Sequence, residues 1–279
     1  MKSVILGEDE IKKLYSILKR HRFKEIDSKS EHESYRFDDK ENSVFVVCYR
    51  TGKVVYRDGD VLRQLIGEAM KAEEGYDYVI GTDEAGKGEW YGPLVVACVA
   101  LDPSQIAKVR QTGARDSKKL GKKTLQKIGK ELLESDYTKE VLILSPESYN
   151  ERYMELQKEG KTLNDLMAQA HTTLIKNLLP KLEYRKARIV IDMFDYKKTE
   201  ALLRDIEKGR HIIIQKSKAE SETPVAAASI MAKYAFEKEV DRLNNEYGID
   251  LRKAKPAEIP KDIIPKVGKL HFKNVQEGF

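Results

Sequence analysis

Asp83 and Glu84 stand side by side at the end of the apolar run YVIGT and are followed by Ala85, Gly86, Lys87 and Gly88. Carboxylates crowded together repel and raise each other's pKa, and a divalent cation between them removes the conflict. Oxygen donors with no His or Cys in the same stretch select Mg²⁺ or Mn²⁺ over zinc. Two such ions about 3.5–4 Å apart can activate a water and stabilise the leaving oxygen in phosphodiester hydrolysis. Adjacent residues of a strand face opposite sides, so both acids serve one site only if the strand ends there and the longer Glu84 swings back. Gly81 and Gly86 permit that departure. Asp192 closes a second apolar run, RIVID, and the strand ends of open α/β sheets are where sites are commonly assembled. Lys87 between two glycines offers backbone N–H groups and a cation to a phosphate. Each signal alone has a plainer reading: a DE pair also suits a solvated turn, and GKG matches neither dinucleotide- nor nucleotide-loop motifs.

The elements that must carry these residues follow from periodicity. Apolar runs YVIGT, PLVVACVAL, EVLILS, ARIVID and HIIIQ, interspersed later with helical patterns such as TLNDLMAQAHTTLIKNLLPKL, indicate an α/β unit around a largely buried sheet. The first two runs are joined by too short a loop for a parallel crossover, so they form an antiparallel hairpin and the sheet is mixed. Thr223 is placed to cap a helix with Pro224 at its first position, ending at Gly248, and Ala226 to Ser229 are small enough to admit another backbone. Before residue 72 the order is different: an amphipathic helix over residues 8–21 (Ile11, Leu14, Tyr15, Leu18), three strands (ESYRF, SVFVVCY, KVVYR) and a second helix from Asp60 to Ala72. The expected division is residues 1–72, a linker at 73–77, and 78–279. The Pro- and Lys-rich segment Lys253 to Lys269 reads as a loose surface wrap.

Composition narrows the function classes. The chain has 279 residues, 41% hydrophobic and 35% charged, with 51 Lys and Arg against 46 Asp and Glu, a net charge of +5. That length holds a small and a larger unit, and the slight basic excess is compatible with a polyanionic partner without demanding one. Cys48 and Cys98 lie in apolar runs without metal-ligand spacing and read as reduced core residues. No apolar stretch reaches about 18 residues and the amino terminus lacks a signal-peptide pattern, so a cytoplasmic protein without membrane spans is expected. No heptad pattern calls for an oligomer, and a monomer is expected.

Three stretches together, GTDEAGKGEWYGPLVVA, ARDSKKL (Ala114 to Leu120) and KAESETPVAAASIMAKY (Lys218 to Tyr234), resemble the type 2 ribonuclease H family in order and spacing. GKG in place of GRG, Glu in KAES and an extra amino-terminal unit resemble the ribonuclease HIII branch. The resemblance implies a ribonuclease H-like mixed sheet with flanking helices, plus a small α+β unit similar to TATA-box-binding-protein-like domains. It implies a metal site of Asp83, Glu84, Asp192 and Glu220, with Glu222 and Asp195 as rivals for the place of Glu220. It further implies metal-dependent hydrolysis of the RNA strand of RNA–DNA hybrids to 5′-phosphate and 3′-hydroxyl ends. Gly86, Lys87 and Gly88 are then candidates for contacts to the 2′-OH, which separates RNA from DNA, and Lys118 and Lys119 for phosphate contacts. Trp90 and Tyr91 read as local packing, and His171, His211 and His271 show no partner in the sequence. Arg36, Arg50, Lys53 and Arg57 are candidates for gripping hybrid backbone. Cleavage at single ribonucleotides in duplex DNA and a non-catalytic nucleic-acid-binding module are the competing functions.

Overall fold

The computed structural model describes residues 1–70, 75–114, 121–192, 210–216, 219 and 222–277, and the side chains of 192, 215 and 216 are outside that description. Strands β1 (Lys2–Ile5), β2 (Glu25–Ile26), β3 (Glu33–Asp39), β4 (Val44–Tyr49) and β5 (Lys53–Tyr56) form an antiparallel sheet in the order β1-β5-β4-β3-β2. The three expected strands are its centre. Sequence reading does not give the edge strands β1 and β2; the two residues of β2 are too few for alternation to register. Helices α1 (Glu8–Arg20) and α2 (Asp60–Met70) cover one face, where Leu14, Leu18, Leu65 and Ile66 meet Phe37, Val46, Val54 and Tyr56. Acidic residues in the first turn of α1 and basic ones in its last turn complement the helix dipole.

The second sheet has the order β10-β9-β6-β7-β8, from β6 (Tyr78–Ala85), β7 (Leu94–Leu101), β8 (Lys139–Leu144), β9 (Ala187–Asp192) and β10 (His211–Lys216). Pairs β10–β9 and β6–β9 are parallel, whereas β6–β7 and β7–β8 are antiparallel, the mixed sheet that the short 78–101 hairpin requires. All eight residues of β7 are buried, as a strand covered on both faces must be. Helices α3 (Pro103–Gln111), α4 (Lys122–Glu134) and α7 (Thr223–Tyr247) lie on one face; α5 (Pro146–Lys158) and α6 (Leu163–Leu178) lie on the other. Helix α7 begins one residue earlier than the sequence suggests, with Glu222 rather than Thr223 at its cap, and Gly248 ends it in the left-handed conformation at φ 67°. Its small residues serve as expected: Ala226, Ala227 and Ala228 are fully buried, and a Cβ on Gly81 would come within 2.3 Å of the Pro224–Val225 backbone.

The carboxy-terminal segment corrects its sequence reading. It contributes Leu251, Ile259, Ile264, Val267 and Val275 to the core beneath α7, through short helices α8 (Ile264–Val267) and α9 (Lys273–Gln276). Lys269 is fully buried. Composition concealed this because the apolar residues are spaced singly among prolines and lysines. The two sheets are joined through α3: Arg110 makes a two-pronged ion pair with Glu10, one prong at 2.8 Å, and donates to the Ile5 carbonyl at 3.0 Å. Among the described residues no helix is long and apolar enough to cross a membrane.

Candidate active site

Strand β6 does not end at the acids but runs on to Ala85, so Asp83 and Glu84 keep the opposite sidedness of a strand. Each acid is met by its own helix, and one ion shared by both still requires the longer Glu84 to reach round the end of β6. Asp83 faces α7, whose Ser229 hydroxyl bonds its carboxylate. Glu84 faces α6, where Oε2 lies 3.3 Å from His171 Nε2, and its Oε1 lies 3.7 Å from Lys87 Nζ. The other ring nitrogen of His171 is 2.8 Å from the Thr82 hydroxyl, which is also 2.9 Å from the Ala97 carbonyl oxygen. A carbonyl only accepts, so the single hydroxyl hydrogen goes to Ala97 and Nδ1–H donates to Thr82. Thr82 thus orients the buried His171 ring so that Nε2 faces the Glu84 carboxylate, with which a ring carrying both protons would pair.

The electrostatics of the pair point the same way. Burial, and then the charge of Glu84, push the Asp83 carboxyl up to about 6. Burial also works to raise Glu84, but bonding to His171 and the charge of Lys87 outweigh it and hold Glu84 below the ordinary carboxylate range. The parallel β6–β9 ladder pairs Thr82 with Ile191 at its last step, and Asp83 and position 192 each follow that pair in their strands.

This donor set suits a hard divalent ion. Two half-buried carboxylates, Asp83 and Glu84, sit near the end of β6, and an ion would relieve the raised pKa of Asp83. Among the described residues no three His, Cys, Asp or Glu are close enough to hold a metal by themselves; the side chains of Asp192, Glu220 and Asp195, like all of Lys118 and Lys119, lie outside the described residues. The rival Glu222 is engaged elsewhere, paired with Arg188 at 2.9 Å. Arg188 pairs with Val79, four residues before Asp83, or about 13 Å along the strand.

Glu84 opens into a groove of about 360 Å³ lined by residues 84–89 and, from α7, by Ser229, Lys233 and Phe236. Gly86 is required for geometry: φ is 88° and a Cβ would lie 2.2 Å from the Pro93 carbonyl oxygen. Gly88 is different. A Cβ there would meet nothing within 4 Å, and its φ is not positive, so neither packing nor backbone explains its bare surface. Trp90 and Tyr91 pack locally, as the sequence suggests: they meet edge to face at 5.6 Å and Tyr91 leans on Phe236.

A sequence model of the family described as Ribonuclease HII matches residues 80–264. A ribonuclease HIII from Bacillus cereus (strain ZK / E33L) is 30% identical over 87% of this chain and 88% of its own. The chain belongs to the type 2 ribonucleases H, on the ribonuclease HIII branch. In fold it is similar to Bst-RNase HIII, solved in complex with Mn²⁺, at TM-score 0.63 and 24% identity over 99% of this chain and 97% of that one. The ribonuclease H2 of Pyrococcus horikoshii OT3 matches at TM-score 0.58 and 25% identity, over 72% of this chain and 96% of that one. The ribonuclease HII family model likewise begins at residue 80, past the amino-terminal sheet. The chain is therefore a ribonuclease H, built as an RNase H-like sheet with an added amino-terminal β unit.

Within this ribonuclease H fold, three residues that matter around the site were not selected from sequence. His171 reads as packed within an apolar helix, and it is buried, yet its partner Glu84 is 87 positions away and only the fold joins them. Lys233 places an exposed cation on the groove, within a stretch that carries the family resemblance but in which the sequence gives the lysine no role. Lys269 sits among lysines that composition assigns to solvent. Arg36, conversely, was selected and is withdrawn: it is buried and bound to Glu33 at 2.6 Å, whereas Arg50, Lys53 and Arg57 are exposed.

Proposed function

We propose that this ribonuclease H is an endonuclease that hydrolyses the RNA strand of RNA–DNA hybrids and leaves 5′-phosphate and 3′-hydroxyl ends. Asp83, Glu84, Asp192 and Glu220 would hold Mg²⁺ or Mn²⁺. The ions supply activation of the attacking water and neutralisation of charge on the phosphodiester. The chain's own residues do the rest. The loop Gly86–Lys87–Gly88 lies against the ribose, its backbone groups reading the 2′-OH, and Lys87 and Lys233 line the groove as cations for the phosphate backbone. Lys118 and Lys119 add phosphate contacts, and His171, oriented by Thr82, pairs with the Glu84 carboxylate when its ring carries both protons. Residues 1–72 act as a gripping unit through Arg50, Lys53 and Arg57, without sequence preference, and the enzyme works as a monomer.

The observation that supports this reading is Asp83, half-buried, its carboxyl pushed up by burial and by the neighbouring charge of Glu84, near the end of a strand whose parallel neighbour β9 ends at position 192. A binding module has no use for acids at the point where phosphates would lie, since they repel the ligand. Matched duplexes test the substrate class: one an all-RNA/DNA hybrid, the other DNA with a single embedded ribonucleotide. Faster cutting of the hybrid is the expected result; preference for the single ribonucleotide would move the enzyme to the HII type of activity.

A further inference from the structure

The loop that follows Gly88 is held by one side chain from the far end of the sequence. Lys269 Nζ donates to the carbonyl oxygens of Glu89 at 3.0 Å, Tyr91 at 3.0 Å and Gly92 at 2.8 Å. Its backbone N–H donates to Trp90 O at 2.7 Å. Every carbonyl from Glu89 to Gly92 therefore ends on Lys269. Gly92 N–H returns a bond of 2.8 Å to Val267 O, and the Trp90 ring lies over Gly268, where a Cβ would sit tightly at 3.3 Å from the ring and 3.2 Å from the Ile264 carbonyl oxygen. The segment carrying Lys269 is itself tied down by Asn150 of α5: Nδ2 donates to Gly268 O at 2.9 Å and Pro265 O at 3.2 Å, and Oδ1 accepts from Leu270 N at 2.9 Å.

An ammonium with no exposed surface is expensive to keep, and an apolar residue of the same length would fill the space more cheaply. Burial pushes Lys269 down to about 7, with Glu89 opposing the shift. What the charge provides is three donors at one point, each aimed at a different carbonyl of one turn. No apolar side chain can specify a turn in that way.

We infer that Lys269 is a positioning residue for the ribonuclease reaction: it fixes the turn at Glu89–Gly92, and through it the pose in which Gly86–Gly88 meets the hybrid. The inference rests on the reading of Gly86–Gly88 as a substrate contact. A contact made equally to bound substrate and transition state acts on KM rather than kcat, so the strap tunes affinity for the hybrid without touching the acids.

Two variants test it. Lys269→Met removes the donors and keeps the length; Asn150→Ala loosens the strap while leaving Lys269 and the loop intact, and serves if Lys269→Met does not fold. Amide hydrogen exchange over residues 86–92 should accelerate about tenfold or more in either variant, with the amides of β7 unchanged. KM for an RNA–DNA hybrid should rise roughly tenfold while kcat stays within about twofold of the wild type. Unchanged exchange in the loop, or a lowered kcat at constant KM as partial misfolding would give, overturns the inference. Wild-type protein that is inert on hybrids would instead strike the ribonuclease reading, and the exchange rates would still decide for or against Lys269.

Discussion

Asp83 and Glu84 are chemically alike and one residue apart, yet the fold gives them opposite protonation tendencies by turning them to different helices. In metal-free protein the Asp83 carboxyl keeps its proton up to about pH 6, whereas in the unfolded chain it loses it near pH 3.9. Between those values the folded state binds more protons, so stability falls as pH rises and stays lower above about 6, by an amount on the order of 2–3 kcal/mol. A divalent ion would offset that loss where the carboxylate is ionised. Mg²⁺ should therefore raise Tm more at about pH 7.5 than at about pH 5, and an equal rise at both, seen by calorimetry, would contradict this. His171→Gln should lower activity about 10–100-fold with little change in KM, because it removes the ring that faces Glu84; steady-state kinetics decides. Gly88→Ala should leave Tm unchanged within error, since its side chain meets no protein atom within 4 Å, and should raise KM for hybrid. The acid types were legible in the sequence at this scale, whereas the strand end was not, since β6 runs past both acids to Ala85. The partners were not, because nothing in a single sequence couples position 84 to position 171.

Elements repeat the pattern. Runs long enough to alternate or to fill a buried strand were legible: all five strands of the catalytic sheet and helix α7 follow from apolar runs and cap signals, and Ala226 to Ser229 signal a close approach, whereas Gly81 reads in the sequence only as a place for the strand to turn away and its approach to Pro224–Val225 comes from the fold. Gly81→Ala tests that packing. A Cβ 2.3 Å from backbone cannot be accommodated by rotating a side chain, so the variant should lose about 1–3 kcal/mol or more in urea unfolding, and a loss under about 0.5 kcal/mol would contradict the contact. Two-residue β2 and the carboxy-terminal strap were not legible. Their order comes from partners distant in the chain, and Lys269 is the clearest instance: its residue type argues for solvent, and only the carbonyls of a loop some 180 positions away reverse that.

At the scale of the molecule, the amino-terminal unit is bolted to the catalytic sheet by Arg110, with Glu10 and Ile5 as its acceptors. Deleting residues 1–72 would leave that guanidinium stranded, so point changes report more cleanly on grip. Replacing Arg50, Lys53 and Arg57 together by Ala should raise KM for long hybrids and flatten its salt dependence, with kcat preserved; an unchanged salt dependence would remove the gripping role. The central claim concerns the acids themselves. Its most direct test is titration of Mg²⁺ and of Mn²⁺ into wild-type protein and Asp83→Asn on a labelled RNA–DNA hybrid, with cutting and binding followed together. The account expects metal-dependent cleavage of the RNA strand that is lost in Asp83→Asn while hybrid binding persists. Cleavage that survives the substitution, or proceeds without divalent metal, would contradict it.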